Sequence, residues 1–97
     1  MTLVAFIPAV GAGAVYGAVE LGGFVSNVMV AAQALGGATV PQAALAFHSE
    51  VVRKHFGLGD DRRVVCGISF GFADTDNKVN SYRTTRATLP DVATFAG

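Results

Sequence analysis

The spacing of apolar residues changes period several times along this chain, and each change predicts an element. Residues 2–9 are rich in β-branched and aromatic side chains with a weak alternation, which predicts a buried strand. Pro8 puts that strand at an end or an edge, since proline cannot donate to a ladder. Residues 10–17 are mostly glycine and alanine and read as a loop. From residue 18 to 35 the period becomes helical, with Leu21, Phe24, Val25, Val28, Met29 and Ala32 at steps of three and four. Val30 and Ala31 are apolar on the other side, so this helix is expected to be buried nearly all round. Gly22 and Gly23 weaken it intrinsically and point to close backbone packing. Gly36 and Gly37 offer a left-handed C-cap.

Residues 38–40 read as a short extended piece, because Pro41 pushes Val40 out of helical space. A second helix is expected over residues 45–56, with Ser49 as another possible start. Ala46, Val51, Val52 and Phe56 would face inward and Glu50, Arg53 and Lys54 outward. Gly57 and Gly59 close it. Residues 62–72 form the clearest strand, carrying Val64, Val65, Ile68, Phe70 and Phe72 between charged and turn-forming flanks. A polar loop over 73–81 leads into a tail over 82–97, with a helical turn expected after Pro90 and Asp91.

Charge sharpens this picture. Seven basic residues balance seven acidic ones, so no global field draws the chain to nucleic acid or to an anionic membrane. Between residues 1 and 49 the only Asp, Glu, Lys or Arg is Glu20; the other thirteen charges lie in 50–97. An N-terminal half so poor in charge reads as the inside of something larger. Residues 15–35 are long enough to span a membrane but contain Glu20, Ser26, Asn27, Gln33 and three glycines. A membrane helix and a signal peptide are both the weaker reading, and the cytoplasm is the expected compartment. Cys66 is the single cysteine, with no disulfide framework or metal spacing, and should be an inert thiol in a packed strand.

Several patterns invite chemistry and do not sustain it. Gly67, Ser69 and Gly71 match Gly-x-Ser-x-Gly, but a nucleophile elbow needs a helix after the serine and a later histidine. Here residues 74–77 break any helix, and no histidine follows His55. Ser69 reads as a small residue within a strand. Gly11, Gly13 and Gly17 sit where a dinucleotide fingerprint would. That motif also needs an acidic residue about 20 positions on, where Thr39, Val40 and Pro41 stand. His48 and His55 are two turns apart on one expected helix, too far to share a metal. Glu20 reads as a first-turn carboxylate complementing a helix dipole. Arg83 and Arg86, three apart with Thr84 and Thr85 between them, are the best candidate: two guanidinium groups can converge on a phosphate.

The order of these pieces resembles the FMN-dependent nitroreductase family. The resemblance rests on Gly17, Glu20, Leu21 and Gly22 opening a long apolar helix, then on the segment from Thr39 through Pro41 to Leu45. A second helix, the strand from Val64 to Asp74, and the tail from Asn80 to Arg86 follow. It implies a single α+β domain over 1–97, a partial nitroreductase-like fold. Mixed sheet strands, a long buried helix and an extended C-terminal tail would make up that C-terminal half.

In that family the flavin sits at a homodimer interface, accepts hydride from NAD(P)H and reduces a nitroaromatic or quinone-like acceptor. The resemblance therefore implies cofactor contacts at Pro41, Gln42, Ala43 and Ala44 beside the ring and at Arg83 and Arg86 on the phosphate, with no catalytic side chain and no metal. The family's N-terminal flavin-binding and dimerisation segments have no counterpart here. The resemblance thus implies a truncated chain whose activity alone is open, and a homodimer or a second chain that supplies the other half. The alternative is a non-catalytic remnant or assembly subunit that associates through its apolar helix. A small nucleotide-binding module is a third reading.

Overall fold

A computed structural model describes residues 2–8 and 12–97 of the chain. Three strands form one sheet in the order β1 (Thr2–Pro8), β3 (Arg62–Gly71), β2 (Ala38–Gln42). Both pairings are antiparallel, so the two edge strands run in the same direction with β3 between them. The expectation of mixed strands thus resolves, among the described residues, into two antiparallel ladders. Helix α1 (Ala12–Ala34) carries the chain from one edge to the other. The last strand is therefore the central one, and the apolar run over residues 62–72 explains why. A strand flanked on both edges has the least access to water. Pro8 ends β1 and Pro41 lies in β2, both edge strands, where a missing N–H is tolerated.

Ile68 is fully buried on β3, with Val64 and Gly67 also buried there and Val52 buried on α3. Leu3 and Pro41 flank Ile68 in register on the two neighbouring strands. The far end of the strand leaves this core: Phe70 is 40% exposed and Phe72, beyond the strand, is 90% exposed.

Helix α1 begins at Ala12, so the glycine loop expected over residues 10–17 is helical from that point; Val10 and Gly11 lie outside the described residues. Glu20 consequently sits two turns inside the helix, exposed, and not in a first turn. Half-buried positions on α1 are Ala14, Gly17, Leu21, Val25, Val28, Met29 and Ala32. They form one stripe at helical spacing, turned toward β1 and β2. The sequence suggested cover all round, yet only this stripe is covered. Phe24 stands off it at 51% exposure, and Val15, Tyr16, Val19 and Val30 are each about 70% exposed. A three-stranded sheet can cover one side of a helix and no more. Gly36, at φ 81°, ends α1 in the left-handed region as expected.

The second helix is two. Helix α2 (Ala44–Phe47) and helix α3 (Ser49–Phe56) are separated at His48, whose φ of −110° and ψ of 32° are not helical. Of the residues expected inward, Val52 is buried and Ala46 half-buried, while Val51 and Phe56 face solvent. Gly57, at φ 66°, closes α3. A short 3-10 turn (Lys78–Asn80) and helix α4 (Leu89–Val92) punctuate an otherwise extended, exposed C-terminal segment.

The chain has a radius of gyration of 16.3 Å, against about 12.5 Å for a compact globule of this length. Its accessible surface is 7765 Å², where a compact protein of this mass exposes roughly 5,200 Å². The excess is of the size that obligate protein contacts cover, about 2,000–5,000 Å².

Candidate functional site

Two stretches carry the candidate residues. The first is the β2–α2 corner: Pro41 and Gln42 end β2, Ala43 is the N-cap of α2, and Ala44 is its first residue. All four are exposed, so backbone and small side chains at 43 and 44 are open to a ligand. Proline fixes the approach, since its ring locks φ. Gly67, directly opposite Gln42 in register, fixes the exit. A Cβ there would collide with the Leu45 side chain, which lies across the glycine.

One side-chain bond ties the corner to the central strand. The Ser69 hydroxyl donates to Gln42 Oε1 at 3.1 Å. Thr2 Oγ1 stands 3.4 Å from the same hydroxyl, a longer and weaker contact. Ser69 thus lies inside a strand that continues to Gly71, which removes the strand-to-helix turn a nucleophile elbow needs.

The second stretch is the tail. Its preceding loop is folded by its own polar side chains. Asp74 Oδ1 accepts from the Asp76 amide at 3.2 Å, Asn77 Oδ1 accepts from the Val79 amide at 3.0 Å, and Asn80 Nδ2 donates to the Asp74 carbonyl at 2.6 Å. Arg83 is aimed by this loop, with Nη1 donating to the carbonyls of Asn80 at 3.0 Å and Tyr82 at 2.9 Å. Arg86 Nη1 donates to the Thr84 hydroxyl and to the carbonyls of Thr84 and Thr85 at 3.4 and 3.3 Å. Neither guanidinium meets a carboxylate among the described residues. Each commits only its Nη1, so Nε and Nη2 stay available to an anion. Further on, the Asp91 carboxylate accepts from the Thr88 hydroxyl at 2.6 Å and the Thr88 amide at 3.0 Å. These two bonds hold its pKa below the ordinary value, the hydroxyl contributing most.

A cavity of about 570 Å³ opens between the tail and the sheet edge, lined by Met29 and Gln33 of α1, Thr39 of β2, and Thr75, Asn80 and Arg83. It brings Arg83 to β2 at a point two residues before Pro41, roughly 7 Å along a strand. Residues 41–44 and Arg86 are not part of its lining. His48 separates α2 from α3 and His55 lies within α3, both exposed, so the single helix expected to carry them does not exist. Among the described residues no three His, Cys, Asp or Glu side chains gather as a metal site. Cys66 is half-buried in β3. The hydrogen-bonding roles of the loop residues Asp74, Asn77 and Asn80 and of the strand residue Ser69 were not among the sequence expectations. Asx-turn spacing could have found the first three, whereas Ser69 needed the strand register.

A strand, a long helix and a second edge strand with the last strand inserted between them, ending in an arginine-bearing tail, make an α+β fold. The Nitroreductase family model matches residues 6–72, and the chain belongs to that family. Nitroreductase NfnB of Mycolicibacterium smegmatis is 38% identical over 77 residues, covering 79% of this chain and 32% of that protein. A chloronitrobenzene nitroreductase of Comamonas testosteroni is 38% identical over 74 residues, covering 76% of this chain and 33% of that protein. The crystal structure of the FMN-dependent nitroreductase NfnB from Mycobacterium smegmatis in complex with NADPH superposes with a TM-score of 0.83. It does so at 34% identity, over 99% of this chain and 42% of that one. The chain spans about a third of the length of the curated relatives it matches. Among the described residues one helix, α1, is long and apolar enough to cross a membrane by length and composition. In this fold its half-buried stripe packs against β1 and β2.

Proposed function

We propose that this chain forms the C-terminal part of a cytoplasmic FMN-dependent oxidoreductase that takes reducing equivalents from NAD(P)H and reduces a nitroaromatic or quinone-like acceptor. The observation that carries the reading is the superposition of nearly the whole chain on a nitroreductase whose structure was solved with NADPH. Bound FMN supplies the two-electron chemistry, and the polypeptide supplies placement and electrostatics. Residues 41–44 fit the ring side of such a cofactor: they are exposed, small at 43 and 44, and held by the central strand. Arg83 and Arg86 fit its phosphate, each with nitrogen donors uncommitted and no carboxylate competing. The exposed outer side of α1 calls for protein cover, from a second copy of the chain or from another chain in the active assembly.

Titrating the chain into FMN and following flavin fluorescence tests the reading. Saturable quenching is expected; full fluorescence at a large protein excess rejects FMN binding by this chain.

A further inference from the structure

Ser69 is a polar side chain that the proposed function leaves without a role, although it sits in the central strand of the sheet. Register places Thr2, Ser69 and Val40 in one row across the three strands, and Gln42 in the next row opposite Gly67. Side chains two apart on a strand share a face, so Ser69 and Gly67 face the same side of the sheet. That side is where Leu45 of α2 covers Gly67. The Ser69 hydroxyl reaches diagonally to Gln42 Oε1 at 3.1 Å. Its second neighbour, Thr2 Oγ1 at 3.4 Å, completes a row of hydroxyls across the sheet. When Ser69 donates to Gln42, the Thr2 hydroxyl is left to donate to Ser69, so the row has one direction.

Donation to Oε1 also fixes which end of the Gln42 amide is which. With its oxygen committed to Ser69, the amide turns Nε2 and its two N–H donors away from the strand, on an exposed residue next to Pro41. A free glutamine side chain would sample both orientations and several rotamers, losing that freedom on binding.

We propose that Ser69 is a positioning residue that orients the Gln42 side-chain amide as a hydrogen-bond donor toward an oxygen of the bound ring or of the acceptor. The proposal rests on the flavin reading of residues 41–44 for its ligand and on the Ser69–Gln42 bond for its geometry. Gly67 acts beside it by leaving room for Leu45, so the corner is fixed from two successive inward positions of one strand.

The test uses the full chain with Ser69→Ala and Ser69→Thr, the second retaining the hydroxyl in a residue that suits a strand. Side-chain amide NMR of Gln42 in the absence of flavin is the first readout. Ser69→Ala should lower the order parameter of the Gln42 amide group and shift its resonances, while Ser69→Thr keeps both near wild type. Far-UV circular dichroism unchanged in both variants separates this from general unfolding. FMN titration is the second readout: Ser69→Ala should weaken binding about five-fold, the weight of one ordinary hydrogen bond, with Ser69→Thr restoring it. An unaltered Gln42 amide in Ser69→Ala overturns the proposal. So does a loosened amide with unchanged FMN affinity. If wild-type protein quenches no FMN at all, the flavin reading fails, and the proposal fails with it only in its choice of ligand. The NMR arm then decides the orienting bond.

Discussion

Replacing Ile68 by alanine tests the account of the core at its centre. Among the described residues Ile68 is the one fully buried large side chain, on the middle strand, flanked in register by Leu3 and Pro41. Truncation removes three buried carbons, about 2.4 kcal/mol at roughly 0.8 kcal/mol per methylene. The incompletely filled cavity adds to this, within the 2–5 kcal/mol span seen for such changes. About 3 kcal/mol is therefore expected. With a urea slope near 1–1.5 kcal/mol per molar for a chain this small, the unfolding midpoint should fall by about 2–3 M. The measurement is urea denaturation by far-UV circular dichroism at one fixed protein concentration, because association shifts apparent stability. Ile68→Val, which leaves most of the volume, should lose only about 1 kcal/mol. Phe72→Ala, at a side chain 90% exposed, serves as the control. Equal midpoints for Ile68→Ala and Phe72→Ala would refute the reasoning, since burial would then not be what holds β3 in the middle.

Three further predictions concern the tail, the terminal turn and the outer helix face. Arg83→Ala and Arg86→Ala should each weaken FMN binding by about ten- to a hundred-fold, the range of a charge-assisted hydrogen bond, yet leave riboflavin, which lacks the phosphate, nearly unaffected; parallel losses for both flavins would exclude a phosphate grip. The Asp91 pKa is lowered by the Thr88 hydroxyl and amide. Its stabilisation of α4 is therefore fully present above the ordinary value of 3.8 and is lost as pH falls through the lower folded value. Amide shifts of residues 88–92 should follow that titration, and Asp91→Asn should abolish it. Val19→Lys places a charge on the outer face of α1, where Val19 is 70% exposed. Sedimentation should show wild-type chain associating with rising concentration and the variant shifted to smaller species. A wild-type monomer at every concentration would mean that this face needs no protein cover.

Much of the fold was legible from local pattern because its causes are local. The bounds of β3 follow from an apolar run between Arg62 and the loop after Gly71, the end of α1 from Gly36, and the extended Val40 from the proline after it. The start of α1 was misplaced because the glycines at 11, 13 and 17 lower intrinsic helix preference without forbidding a helix, while the alanines between them favour one and packing against the sheet adds to that preference. The break at His48 is marked by no proline or glycine, and its one local sign is Ser49, offered by the sequence as another start and observed as the first residue of α3. It follows from α2 and α3 meeting β3 separately.

The site divides along the same line. Arginine pairing is a property of neighbouring residues in the sequence, and the resemblance to a known family brought the proline corner and the small residues after it forward as candidates. Which hydroxyl holds Gln42 could not be read there, because Ser69 lies 27 positions away and only strand register brings it into reach. Exposure of α1 was likewise a tertiary matter. An all-apolar helix states that it will be covered, whereas the number of strands beneath it decides how much of that cover this chain can provide. Local sequence sets what each segment prefers. Register and layer count, fixed only when the strands meet, decide which side chains touch and which surfaces remain open.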